Sequence, residues 1–375
     1  MSGATKRTLV IGGTGPTGPH ILQGLLDRGH DVSMLHRGAH EPAGLPEVRH
    51  LHADPHFPET LAEAVGDHEF DLVVATYGRM RVTGEFFAGR TDQLICVGGV
   101  PVYRGFIEPQ GSKPWGMKVN AREDSPMADT AEVPAKFAMQ ILNAERGVLE
   151  RAANGAYRAS YVRYPQIYGP RNIVPWEWAV LKRIQDGRPY MILPDDGLWV
   201  FFRSAARNAA AALMCIVDNP ELADGESYNI ADDDQFSMRQ WAEVVADIAG
   251  GELEFIGIPS LLAPSAVNEF LAPASRPHMM VDASKIRTQL GYRDVISAYD
   301  ALAETVAWLR ENPPTPEAYP MYTGTFDYPL EDRLVAAYSR AVEAVQAEAP
   351  DTAPPLAHPM PHPKLPSLTG DERGR

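Results

Sequence analysis

The chain has 375 residues, 45% of them hydrophobic, and a formal net charge of -15. That is enough for two domains or for one large domain with an appended lobe, and the acidic balance argues against the basic face that nucleic acid or an anionic membrane calls for. The two cysteines, Cys96 and Cys215, make neither a disulfide framework nor a metal cluster. No apolar run approaches the roughly 18 residues of a membrane span, and Met1 to Arg7 hold no apolar signal core. A cytoplasmic protein with no nucleic-acid or membrane partner is expected.

Thr8–Ile11 reads as the first strand. A glycine turn, Gly12-Gly13-Thr14-Gly15-Pro16-Thr17-Gly18, follows it. Pro19–Arg28 reads as a helix with Ile21, Leu22, Leu25 and Leu26 on one face, stopped by Gly29. Asp31–His36 and Val48–His52 are the next strands, with a helix at Glu59–Val65. Strands at Phe70–Thr76 and Gln93–Gly98 complete the first hundred residues. Alternating strands and helices with short connections imply a Rossmann-type α/β fold, a doubly wound parallel sheet whose ligands bind outside the C-terminal strand ends.

Residues 101–131 are irregular, 133–153 form a long helix pattern, and Ser160–Tyr164 is another strand. The expected dinucleotide-binding domain is 1–172, with 203–228 returning to it as a helix over 203–218. Residues 173–202 and 229–312 are assigned to a smaller C-terminal substrate lobe, with an amphipathic helix at 298–311. A helical extension spans 313–349, its helix near 330–347 either pairing two chains as a homodimer or docking on its own subunit. Residues 350–375 are a Pro-rich tail expected to be flexible or surface-bound, and His358 and His362 there lack partners at ligand spacing, so no metal is assigned.

The glycines fit both G-x-G-x-x-G (Gly13, Gly15, Gly18) and G-x-x-G-x-x-G (Gly12, Gly15, Gly18). Strand, turn and helix arrive in the order that lets a pyrophosphate approach the backbone and meet a helix N-terminus. Gly12, Thr14, Gly15, Pro16, Thr17 and Gly18 are therefore candidate cofactor contacts, with Ala75 at the end of the fourth strand. At the end of the second strand His36 stands where an acid would hold the ribose of NAD, and Arg37 follows. An acid-free end with an arginine favours NADP(H) over NAD(H), the alternative being an arginine that only faces solvent. Asp54 either lies near the adenine or caps the next segment.

With these motifs in order, the chain resembles the extended short-chain dehydrogenase/reductases, also called NAD-dependent epimerase/dehydratases. The resemblance covers roughly residues 8–311 and includes Val102-Tyr103, Arg163-Tyr164-Pro165 with Tyr168-Gly169-Pro170, Tyr228-Asn229-Ile230 and Asp282 to Ile286. It implies a Rossmann domain binding NAD(P) and a lobe that selects a small-molecule substrate, often a sugar nucleotide. It also implies a Ser or Thr and a Y-x-x-x-K pair for proton transfer. The matching positions hold Gly99, Phe137 and Ile141, with Glu145 at the glutamate that follows the lysine. The usual acid–base apparatus is therefore expected to be absent.

Replacement candidates for catalysis are Tyr103 and Tyr164, on loops expected to ring the pocket, with Tyr168, Lys113, Lys118, Lys136 and His278 behind them. Arg171 and Arg203 are candidates for an anionic substrate group, because arginine forks match carboxylate and phosphate. Trp176, with Trp178, Trp199, Phe201 and Phe202, either lines an apolar substrate pocket or belongs to the lobe core. Two functions follow: an enzyme of non-standard mechanism, whether oxidoreductase or redox-neutral isomerase or lyase, and a catalytically degenerate NADP-binding sensor.

Overall fold

The computed structural model describes residues 5–38, 44–264, 277–315 and 326–349. The tail with His358 and His362 lies outside them. The chain divides into two compact units, Met1–Phe326 and Asp327–Arg375.

The first unit is built on a seven-stranded parallel sheet in the order β10-β6-β5-β4-β1-β2-β3. These strands are β1 (Arg7–Ile11), β2 (Asp31–His36), β3 (Arg49–His52), β4 (Leu72–Ala75), β5 (Gln93–Gly99), β6 (Arg158–Tyr164) and β10 (Glu226–Asn229). Both faces are covered, which is why the strands read as near-continuous apolar runs. On β1, Val10 faces a layer formed with helix α1 (Gly18–Asp27) and helix α6 (Ala206–Asp218). Leu9 and Ile11 face the opposite layer, which holds helix α2 (Pro58–Val65), helix α3 (Met80–Phe86) and helix α4 (Lys136–Ala153). The chain reverses its winding between β1 and β4, so the crevice for a ligand opens at the ends of those two strands.

Helix α3 is not apparent from periodicity, because it is short and carries Gly84 in its interior. A Cβ at Gly84 would come within 2.8 Å of Val148 Cγ2, so the glycine lets α3 lie against α4.

The expected helix over 203–218 begins instead at Ala206. Arg203–Ala205 form a short strand, β9, paired in parallel with β7 (Gln166–Tyr168). Asp232 fixes this switch by accepting the Ala205 amide at 2.9 Å and the Asn208 side chain at 2.9 Å.

Beyond the sheet, α5 (Glu177–Gln185) and α7 (Met238–Ala249) enclose an aromatic interior together with a second parallel pair, β8 (Tyr190–Pro194) and β11 (Glu254–Ile258). Helix α8 (Ser284–Gln289) packs beside β10, and α9 (Ala298–Glu311) follows as its period predicts. In the second unit, α10 (Tyr328–Glu348) is capped by Asp327, whose carboxylate accepts the Leu330 amide at 3.0 Å. Among the described residues, no helix is long and apolar enough to cross a membrane.

Candidate functional site

The glycine turn occupies the switch point. Gly12 has φ +94°, and a Cβ there would run into the side chains of Tyr77 and Thr76. Gly18 lies so close to the Gly13 carbonyl that no side chain fits. Gly15 is different: a Cβ built on it meets nothing within 4 Å. Packing of this chain therefore explains glycine at 12 and 18 but not at 15. Open space over Gly15 is what a group lying directly on the backbone needs. Thr76 Oγ1 donates to the Ile11 carbonyl at 3.1 Å, closing the floor between β1 and β4 beside Ala75, which is buried.

Around this floor stands a group that the sequence only partly suggests. Arg37 is exposed, and its guanidinium lies 5.4 Å from the centroid of the Tyr77 ring. His56 meets the same ring edge-on at 5.2 Å. Asp54 accepts the His56 amide at 3.0 Å and His56 Nδ1 at 2.7 Å. These bonds, with a smaller pull from Arg37, hold the Asp54 carboxyl below the usual carboxylate range. Asp54 thus closes a local turn onto His56 just beyond β3 and does not cap α2, whose N-cap position is Phe57. Tyr77 and His56 are missed by sequence reasoning; the only signal is their place just after a strand end.

Arg171 has a left-handed φ of 67°. Its guanidinium sits 5.5 Å from the Trp308 ring centroid and close to Gly44. Its charge, after burial, is one of the influences that lower the pKa of His20, in the first turns of α1. Arg171 therefore lies within electrostatic reach of the first turn of α1.

Other candidates lie inside the protein. Arg203 is 3% exposed, with its guanidinium 4.1 Å from the Trp241 ring centroid and 5.1 Å from that of Trp176. Burial lowers its pKa to about 10, opposed by the charge of Glu177. Trp176, Trp178, Trp199, Phe201 and Phe202 are all buried in the same cluster. Aromatic packing encloses both Arg203 and Trp176, in keeping with the lobe-core alternative for Trp176.

Tyr103 is also interior. Its hydroxyl donates to Asn229 Oδ1 at 2.7 Å and accepts from Arg163 Nη1 at 2.7 Å. Burial pushes this phenol up to about 12, against the opposing pull of Arg163. The Tyr164 hydroxyl is buried beside Thr17, and desolvation raises it well above its ordinary value. Tyr168 donates to Asp232 at 2.8 Å. His278 Nδ1 accepts the Val200 amide at 3.1 Å, and Lys113, Lys118 and Lys136 are exposed.

Gly99 ends β5, where an added Cβ would sit 3.1 Å from Pro101 Cδ; Gly98 has no room, because Tyr161 fills it. On α4, Ile141 is half-buried against the aromatic interior, whereas Phe137 is 56% exposed. The Phe137 ring is thus presented outward and does not serve as core packing. A shallow cleft runs between the 103–111 loop and the start of α4, lined by Ile107, Ala128, Val133 and Ala138 among others.

The fold is shared with solved structures. UDP-glucose 4-epimerase from Thermotoga maritima, solved with UDP-glucose, superposes with a TM-score of 0.65 at 15% identity, over 82% of this chain and 100% of that one. UDP-glucuronic acid 4-epimerase from Bacillus cereus, solved with UDP-glucuronic acid and NAD, gives 0.63 at 17% identity, over 82% and 99%. The fold is theirs. By sequence, the chain is 22% identical over 335 residues to a UDP-N-acetyl-alpha-D-glucosaminuronate decarboxylase of Bacillus cytotoxicus, covering 82% of this chain and 98% of the relative. No family model matches the chain.

Proposed function

We propose that this chain is an NADP(H)-binding enzyme of the extended short-chain dehydrogenase/reductase type that transforms a small molecule. The observation that carries the reading is the open face of Gly15 at the sheet's switch point, beside two glycines that packing alone explains. Gly12, Thr14, Gly15, Pro16, Thr17 and Gly18 would hold the pyrophosphate at the start of α1. Arg37, with no carboxylate at the end of β2, supports NADP(H), with its guanidinium over Tyr77 ready to pair with a 2′-phosphate. Asp54 and Ala75 would border the adenine and the floor. Arg171, near the same helix end, is assigned to an anionic group of the bound molecules. When bound, the dinucleotide would supply hydride transfer.

Proton handling departs from the family's usual route. Gly99, Phe137 and Ile141 offer no proton donor, and the hydroxyls of Tyr103 and Tyr164 are buried. That supports a non-standard oxidoreductase or a redox-neutral isomerase or lyase. UDP-sugars are the first substrates to test, because the named relatives include a UDP-sugar epimerase and a decarboxylase of a UDP-sugar acid. The reading includes a soluble cytoplasmic protein and a homodimer formed through 328–348, which sedimentation would test.

The test is calorimetric titration with NADPH and NADH, followed by product analysis with UDP-glucose and UDP-glucuronic acid. Tight NADPH binding with turnover is expected. Absence of any nicotinamide binding would sink the proposal. The same three missing side chains favour a second reading, an NADP-binding sensor. Tight binding with no product from any substrate, together with NADPH-dependent capture of a protein partner, would favour the sensor.

A further inference from the structure

Three histidines converge where the sheet ends. His36 closes β2, and His50 and His52 lie two apart on β3. Residues i and i+2 of a strand share a face, so His50 and His52 point the same way. In the parallel register His36 is paired with His52, which brings its ring to the same face. One ring nitrogen from each of the three lies within 4.8 Å of the other two. His36 Nε2 and His50 Nδ1 are 3.3 Å apart. The His36 ring stands edge-on to His52 with centroids 4.8 Å apart.

These spacings match a coordination shell. Metal–imidazole bonds of about 2.0–2.1 Å in tetrahedral geometry separate neighbouring ligand nitrogens by roughly 3.4 Å. The His36–His50 pair already has that separation, and ring rotation at His52, which is exposed, closes the rest. β3 is the edge strand, so an ion reaches the cluster without opening the sheet. Neighbouring arginines are directed elsewhere: Arg37 lies over Tyr77, and Arg49 is 3.0 Å from His68 Nε2. Among the described residues the donor set is three imidazoles with no carboxylate, which selects zinc-like ions over magnesium or calcium.

We propose that His36, His50 and His52 form a binding site for a divalent transition metal of the zinc type. Three imidazoles leave a fourth position for water or a ligand oxygen. Coordination through His36 Nε2 moves the ring proton to Nδ1 and gives up the long 3.3 Å contact from the Gly38 amide. A bound ion would place positive charge beside Arg37, at the strand end assigned above to the adenosine phosphate. The metal site itself does not depend on that assignment.

The experiment uses the full chain, stripped with a chelator and kept at mildly alkaline pH, because protons compete with metal ions for ligand nitrogens. Zn2+ is titrated by calorimetry and Co2+ by its visible absorption. One equivalent is expected, with a Co2+ band typical of low coordination number and a rise in melting midpoint. His50→Gln with His52→Gln should weaken binding at least about a hundredfold, since losing only an outer-shell partner already costs 10–100-fold. His52→Gln alone, at the exposed ring, tests the site without disturbing buried packing. His358→Gln with His362→Gln should change nothing. No saturable binding, binding that survives loss of His50 and His52, or binding lost in the tail variant would each overturn the proposal.

Discussion

The Arg163 guanidinium grips the Glu145 carboxylate through two bonds, Nη2 to Oε1 at 2.6 Å and Nε to Oε2 at 3.1 Å, with both side chains almost fully buried. Ser227 donates to the same carboxylate at 2.8 Å, and Arg163 also holds Tyr103. Four pieces of chain, β5's exit, α4, β6 and β10, are thereby tied at the end of the sheet. Glu145 therefore has a structural task here.

Replacing Glu145 by Gln leaves a buried guanidinium without its counter-charge. Removing one partner of such a pair typically costs about 3–5 kcal/mol. Urea unfolding of Glu145→Gln should show that loss. Glu145→Leu combined with Arg163→Met should recover much of it, because no charge is then left unpaired. Equal losses in the single and double variants would contradict this account.

Gly15 and Gly18 should respond in opposite ways. Gly15→Val places its side chain in open space, so stability should move by no more than about 0.5 kcal/mol. Dinucleotide binding should fall at least about tenfold, because the new side chain occupies the approach to the backbone. Gly18→Ala must displace the Gly13 carbonyl and should cost about 1–3 kcal/mol, as overpacked sites do. Thermal melts and NADPH titrations of the two variants separate the roles.

Arg37→Asp exchanges the side chain assigned to a 2′-phosphate for one that accepts from a ribose hydroxyl. A lost charge-assisted hydrogen bond is worth about 1.5–3 kcal/mol, so NADPH affinity should fall by tenfold or more while NADH affinity rises. Calorimetry with both nucleotides reads the change. Unaltered preference would remove Arg37 from the cofactor site.

Stability should decline as pH rises from about 4.5 to 7. Burial raises Glu177 to about 7 from 4.5, and Asp232 to about 6 from 3.8. In this window the folded protein holds protons that the unfolded chain has released, so unfolding becomes easier as pH increases. Glu177→Gln should flatten the upper part of that slope. Urea midpoints measured at pH 5 and pH 8 for both proteins provide the check.

Periodicity and turn chemistry are local, and they carried most of the fold. The alternation of β1, α1 and β2, the glycine turn and the helix at 298–311 can all be read residue by residue. Helix α3 could not, because it is short and carries Gly84 in its interior, a glycine whose missing Cβ makes room for Val148, 64 residues away. β9 could not either, since its pairing with Gln166–Tyr168 overrides a helical pattern.

For the site, the sequence alone raised the expectation that the usual hydroxyl, tyrosine and lysine positions hold Gly99, Phe137 and Ile141, and it placed Arg37 just after the second strand. Only the tertiary structure decided which polar groups are available. It buried Arg203 among tryptophans and locked Tyr103 between Arg163 and Asn229. It left Phe137 outward, and it set His36 beside His50 and His52. The physical reason is range. Helix and strand preferences act between near neighbours, whereas exposure, pairing and the convergence of side chains depend on strands and helices far apart in the chain.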